Sequence, residues 1–269
     1  PKLEADRYVS MTDQYAKLPM LVCALPGVPS HHKDEAALDC LAEILGGDNN
    51  SILYQKLVKT QRAQSAYASN PTDELAGSFQ FNIMTKPGTA LADMEKEVRA
   101  AILEFEVKGV SDDDLSKFKN SREAMQIYGL ESVSGKVSQL ASYQTFTGNA
   151  NYIKEDMKRY QALTKEDVIR VYNQYVKNKP MVILSVLTKG NENLRAAADN
   201  YEVKNTGYTA PDYGYNKLKY VKAKDIFVRK NMPPAGKNPV INVPDFKIFE
   251  QDDMKMIYAK SNEIPTVVI

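Results

Sequence analysis

At 269 residues, with 43% apolar and 26% charged side chains, the chain can bury a sizeable core and reads as one large domain or one domain plus part of another. Its 35 basic and 34 acidic residues nearly cancel, which leaves no electrostatic footprint for nucleic acid. No apolar run approaches the ~20 residues of a membrane span.

The opening "PKLEADRY" lacks an initiator Met, a charged n-region and an apolar h-region, so it shows no signal peptide and reads as a cut from a longer polypeptide. The compartment stays open. Cys23 and Cys40 are too few for a disulfide framework or a four-Cys zinc site; among apolar neighbours they read as buried free thiols.

"PMLVCALPGVP" (19–29) is a short apolar run between prolines and predicts a buried strand. Ala37, Leu38, Leu41, Ile44 and Leu45 then recur at helical spacing, and Gly46-Gly47 predicts the end of that helix. "NNSILYQKLVKT" follows as a short helix. "AQSAYASN" and "GSFQFNIMTKPG" predict paired strands. In the second, Phe79, Phe81 and Ile83 alternate with Ser78, Gln80 and Asn82, as in a sheet with one covered face.

Met94, Val98, Ile102 and Phe105 form the apolar stripe of the next helix. Ser111 with Asp114, and Thr164 with Asp167, predict helix starts of the capping-box kind. Between them the helical region extends to about Phe146 with a break near Gly129 or Gly135, and a further helix covers "TFTGNANYIKEDMKRYQAL". The Thr164 helix turns Val168, Val171, Tyr172 and Tyr175 inward. "KPMVILSVLTKG" (179–190) closes the unit as a strand. This order predicts an α+β fold, an antiparallel sheet with helices packed on one face.

After Gly190 the sequence becomes rich in tyrosine and proline, and 191–240 reads as an extended linker. Residues 241–269 then predict two short strands and the start of a third. The tyrosines at 208, 213, 215 and 220 are read as packing of that linker rather than as a peptide-binding surface.

Leu45-Gly46-Gly47 with Ser51, Leu53 and Tyr54, then "GVSDDDLSKFKNS", then "LTKEDVIRVYNQYV", resemble in order the motifs of the insulinase/pitrilysin-type zinc metallopeptidases, the family of the processing peptidases. Ile52 stands where that family usually has Arg. The resemblance spans roughly residues 10 to 190. "FKIFEQDDMKMIYAKSNEIPTVVI" is similar to the opening of another family repeat, with Asp252 and Asp253 at the turn where Asn-Gly is usual.

The resemblance implies a repeat over 1–190, a linker over 191–240, and the opening strands of the next repeat over 241–269. It also implies a zinc peptidase as the parent. Zinc would be bound by His-x-x-Glu-His in a preceding repeat, with peptide or unfolded protein as substrate and the remaining repeats as partners.

This chain does not carry that zinc motif. Residues 31–35 read His-His-Lys-Asp-Glu, and adjacent residues on a helix diverge by about 100°, so the two histidines cannot form the ligand pair. His31 and Glu35 stand one turn apart but lack a third ligand and a catalytic carboxylate. The stretch therefore reads as a solvated helix start whose acids meet the helix dipole.

The family's Arg and Tyr, which hold the scissile peptide, are missing as well: in the frames set by Leu57-Val58 and by Gln64 no such pair occurs. Arg62 and Tyr67, nearby, read as structural or surface residues. No catalytic, metal-binding or cofactor-binding residue is expected in the chain. The expected function is chamber wall and inter-repeat contact in a metallopeptidase; the alternative is a scaffold or binding subunit of the same family that has lost catalysis.

Overall fold

A computed structural model describes residues 2–202 and, beyond them, 207, 209, 211–221, 231, 234, 236–237, 245–251 and 254–260. Two units are present, Pro1–Glu202 and Val203–Ile269.

In the first unit β1 (Arg7–Asp13), β2 (Met20–Pro26), β3 (Ala63–Ser69), β4 (Ser78–Thr85) and β5 (Val182–Thr188) form one sheet in the order β1-β5-β2-β4-β3. Six helices accompany it: α1 (Glu35–Gly46), α2 (Leu91–Lys108), α3 (Asp112–Gly129), α4 (Val133–Thr147), α5 (Ile153–Gln161) and α6 (Lys165–Val171). A π-helical turn, Tyr54–Val58, precedes β3, and another, Tyr172–Val176, prolongs α6.

The period of two decides which face of the sheet is covered. Leu21, Cys23 and Leu25 of β2, Phe79, Phe81 and Ile83 of β4, and Ile183 and Leu187 of β5 are buried in one core. Met94, Val98, Ile102 and Phe105 of α2 and Val168 and Val171 of α6 enter the same core, as their helical spacing predicts. The expected α+β layering holds, and both cysteines are buried free thiols.

The sheet departs from a purely antiparallel one at a single pair: β1 runs parallel to β5. The sequence reading did not assign β1, whose "RYVSMTD" has no continuous apolar pattern. Distant groups hold it in place. Asp6 accepts from Met181 N (2.8 Å) and from Arg99 Nη2 (2.7 Å), while the Tyr8 hydroxyl donates to Glu95 Oε1 (3.0 Å). Residues 191–202 belong to this unit too, since Asn200 N donates to Tyr8 O (3.2 Å) and Asn200 Oδ1 accepts from Tyr8 N (2.8 Å).

Both capping boxes form. Ser111 Oγ accepts from Asp114 N, and Thr164 Oγ1 from Asp167 N, with each carboxylate returning to the cap backbone. Thr164→Ala should therefore cost about 1 kcal/mol, read as a lower denaturant midpoint at unchanged slope. The helical run breaks after Gly129, whereas Gly135 lies inside α4.

In the second unit Tyr213 and Tyr215 stack at 5.4 Å. β6 (Phe246–Gln251) and β7 (Met254–Ala259) form an antiparallel hairpin whose described side chains are all exposed. The turn at Asp252 and Asp253, the third strand expected after it and Tyr208 lie outside the described residues.

Candidate functional site

The His31–Glu35 stretch precedes and opens α1, so the two histidines lie in the turn before the helix rather than on it. His31 adopts φ 60°, a left-handed conformation uncommon outside glycine. Its ring packs against Tyr143 (5.9 Å) and Tyr152 (5.6 Å). His32 Nδ1 accepts from Asp34 N (3.1 Å).

The expectation of a solvated helix start is overturned. Asp34 is 1% exposed and Glu35 8%. Each carboxylate meets an arginine from α5 or α6 together with further donors from Thr72, His31 and Tyr175. Arg170 Nη2 lies 2.8 Å from Asp34 Oδ1, and the Tyr175 hydroxyl donates to Oδ2 (2.7 Å). Glu35 Oε2 accepts from Arg159 Nη2 (2.6 Å) and His31 N (2.9 Å), while Oε1 accepts from Thr72 Oγ1 (2.9 Å).

Burial pushes the Asp34 carboxyl up, but the hydrogen bonds from Tyr175 and Arg170 and the charge of Arg170 leave it below its ordinary value. Tyr175 is driven up to about 12, first by burial and then by its bond to Asp34.

One turn further along α1 a second cluster forms around Asp39. Asn70 Nδ2 donates to its Oδ1 (2.9 Å) and the Tyr160 hydroxyl to its Oδ2 (2.8 Å). Arg122 Nη2 donates to the Tyr160 hydroxyl (2.6 Å), with its guanidinium 4.3 Å above the Tyr160 ring. Here burial prevails, and the Asp39 carboxyl lies above its ordinary value despite the bonds from Asn70 and Tyr160 and the charge of Arg122. A cavity of about 180 Å³ opens beside this cluster, lined by Asp39, Glu43, Asn70, Phe118, Arg122 and Met125 among others.

Most of these groups are engaged, while buried His31 Nδ1, 3.9 Å from Asp156 Oδ1, has no hydrogen-bond partner. The carboxylates of Asp34 and Glu35 are held by arginines, and the His32 nitrogen nearest them accepts from backbone, so the donors do not fit zinc. Among the described residues no group of three or more His, Cys, Asp or Glu could hold a metal ion. Burial drives both thiols up to about 12, so neither Cys23 nor Cys40 is a ready nucleophile. Arg62 reaches Glu97 (2.6 Å), and Tyr67 is exposed on β3. The stretch that sequence reading weighed as metal site or helix start is instead a clamp joining α1 to α5, α6 and the Tyr172–Val176 turn. The arginines and tyrosines that complete it stand more than a hundred positions away and carry no local signal of their role.

Residues 1–122 match the family described as the Peptidase M16 inactive domain. The zinc protease PqqE of Helicobacter pylori is 28% identical over 148 residues, which is 55% of this chain and 33% of that protein. The crystal structure of a protease from Helicobacter pylori shares the fold with a TM-score of 0.63 at 24% identity, covering 70% of this chain and 45% of that one. The inactive peptidase domain from Bordetella parapertussis shares it at 0.57 and 20% identity, covering 66% of this chain and 97% of that one. The chain thus spans about a third of the length of the curated relative. Residues 1–122 thus match the M16 inactive domain, and the chain resembles the M16 (insulinase/pitrilysin-type) metallopeptidases in the order of its motifs and in its fold.

Proposed function

We propose that the chain serves as a non-catalytic repeat of a larger zinc-dependent metalloendopeptidase, forming chamber wall and inter-repeat contacts around a peptide or unfolded-protein substrate. Zinc and the reacting groups belong to a preceding repeat. Residues 1–190 are the repeat, 191–240 the linker, with its first residues bound along β1, and 241–269 the opening strands of the next repeat. No residue of this chain has a catalytic, metal-binding or cofactor-binding role in this reading.

The observation that carries it is the commitment of the only histidine–carboxylate stretch to a structural clamp. The exposed β6–β7 hairpin supports the division, because two strands without a covering layer make no core. The purified chain, assayed for bound metal and for cleavage of unfolded peptides, should carry no stoichiometric zinc and show no hydrolysis. Stoichiometric zinc together with chelator-sensitive cleavage would overturn the reading. The second reading, a subunit of the same family that has lost catalysis, is favoured if the preceding repeat lacks His-x-x-Glu-His.

A further inference from the structure

His31 stands at a gap in the hydrogen bonding around the start of α1. Its Nδ1 is buried without a partner, and so are Asp156 Oδ1 and Arg159 Nε, both from α5. His31 Nδ1 lies 3.9 Å from Asp156 Oδ1, too far for a bond but within reach after a shift of about 1 Å. Arg159 Nη2 is 3.1 Å from the same oxygen but donates to Glu35 Oε2 at 2.6 Å.

This gap is also where α4 is seated. Tyr143 is the one buried residue of that helix. Its hydroxyl donates to Asp156 Oδ2 (3.0 Å) and accepts from Gln126 Nε2 (3.3 Å). Tyr143, Phe146 and, just before α5, Tyr152 surround the His31 ring at 5.9, 6.4 and 5.6 Å. Val133, Val137 and Leu140, along the rest of α4, are exposed. The left-handed backbone of His31 is one that a residue other than glycine keeps only where its surroundings fix it.

The charged and titratable groups that face His31 are Asp156 and Arg159 of α5, Glu35 of α1, Tyr143 of α4, and Tyr152. Beyond them stand His32, Asp34 and Arg170. Three carboxylates meet two guanidiniums, so a neutral His31 leaves one negative charge unmatched. Burial and Asp156 push the Tyr143 hydroxyl up to about 12, which keeps it a neutral donor. A proton on His31 supplies the missing charge, gives Asp156 Oδ1 its donor and sets a cation among aromatic rings.

We propose that His31 is a proton-operated latch for α4. The imidazolium donates from Nδ1 to Asp156 Oδ1 and fastens α4 against the turn before α1. The neutral ring gives up that bond and leaves α4 held mainly by Tyr143. Because the protonated form favours the docked helix, docking is strongest below the range in which an imidazole ordinarily titrates, between about pH 5 and 8, and weakens as pH rises through it.

The test measures hydrogen exchange at the amides of α4 in the 269-residue chain and in His31→Asn. Asparagine tolerates the left-handed backbone and does not titrate. Comparing the two proteins at equal pH cancels the pH dependence of the exchange chemistry. The protection of wild type relative to the variant should be about tenfold greater near pH 5.5 than near pH 8, the scale of one charge-assisted hydrogen bond. The amides of α2 should show no such change.

The chain has two histidines, so the variant also assigns the imidazole NMR signals. The His31 signal should titrate in step with the amides of Tyr143 and Asp156. A protection ratio that is constant with pH, or that falls on acidification, overturns the proposal. Should His31→Asn fail to fold, the wild-type titration decides alone: an imidazole that titrates while Tyr143 and Asp156 stay still overturns it.

Discussion

Gly46→Ala should destabilise the protein by about 3 kcal/mol, at the upper end of what overpacking costs, and lower its melting temperature by about 6–10 °C. The usual sign of such a change is the reverse: in an open helix, alanine is favoured over glycine by about 1 kcal/mol. Gly46 is the last residue of α1, and a Cβ there would stand 2.2 Å from the backbone nitrogen of Ala68 in β3. Backbone cannot swing aside as a side-chain end can, so α1 or the edge strand must move.

Gly129→Ala is the control. Nothing lies within 4 Å of its added Cβ at the end of α3, and its expected effect is a slight stabilisation of about 0.5 kcal/mol. Thermal unfolding of the two variants should shift in opposite directions; a stabilised Gly46→Ala would mean that α1 does not approach β3 this closely.

The second large effect is expected at Asp34. Asp34→Asn leaves Arg170 and Tyr175 facing a neutral amide in place of a buried carboxylate. Breaking a fully buried pair costs about 3–5 kcal/mol, and because Arg170 is 45% exposed, about 2–3 kcal/mol is expected here. The pH dependence separates this from a packing defect. The folded Asp34 carboxyl lies below its ordinary value, so its stabilisation is present above the unfolded pKa of about 3.9 and is lost as pH falls through the folded value. The gap between wild type and Asp34→Asn should therefore narrow as pH falls below about 3.9.

Asp39 has the opposite sign. Burial raises its carboxyl, so its contribution favours the folded state at low pH and is lost as pH rises through the folded value. Asp39→Asn should cost less than Asp34→Asn near neutrality. Denaturant titrations across the acid range check both; a gap for Asp34→Asn that is constant with pH would refute the ion-pair account.

The two aspartates, five residues apart on one helix, illustrate what the sequence carried and what it did not. Local patterns are visible because they depend on near neighbours: Phe79, Phe81 and Ile83 alternate and are buried, and Ser111 and Thr164 cap the helices that follow them. The family motifs at 45–57, 109–121 and 163–176 sit on the elements their spacing predicts, α1 with its following turn, α3, and α6 with its extension. Gly46-Gly47 ends α1 as the sequence predicts, but not through a left-handed glycine. Gly47 has an ordinary φ of −89°, and the requirement at Gly46 is room for β3, a strand that arrives later in the chain.

The elements that were missed or misjudged all depend on distant partners. β1 is a strand because Asp6 and Tyr8 find Met181, Arg99 and Glu95, and β5 lies beside it. Asp34 and Glu35 looked like solvated acids of a first helical turn. Their burial follows from Arg159, Arg170 and Tyr175, whose approach depends on how α5 and α6 return across α1. Period and capping, which act over a few residues, settled the layers of this protein, and the order of its motifs carried the family resemblance. Which charges are buried depends on pairings across more than a hundred residues that only the tertiary structure decides.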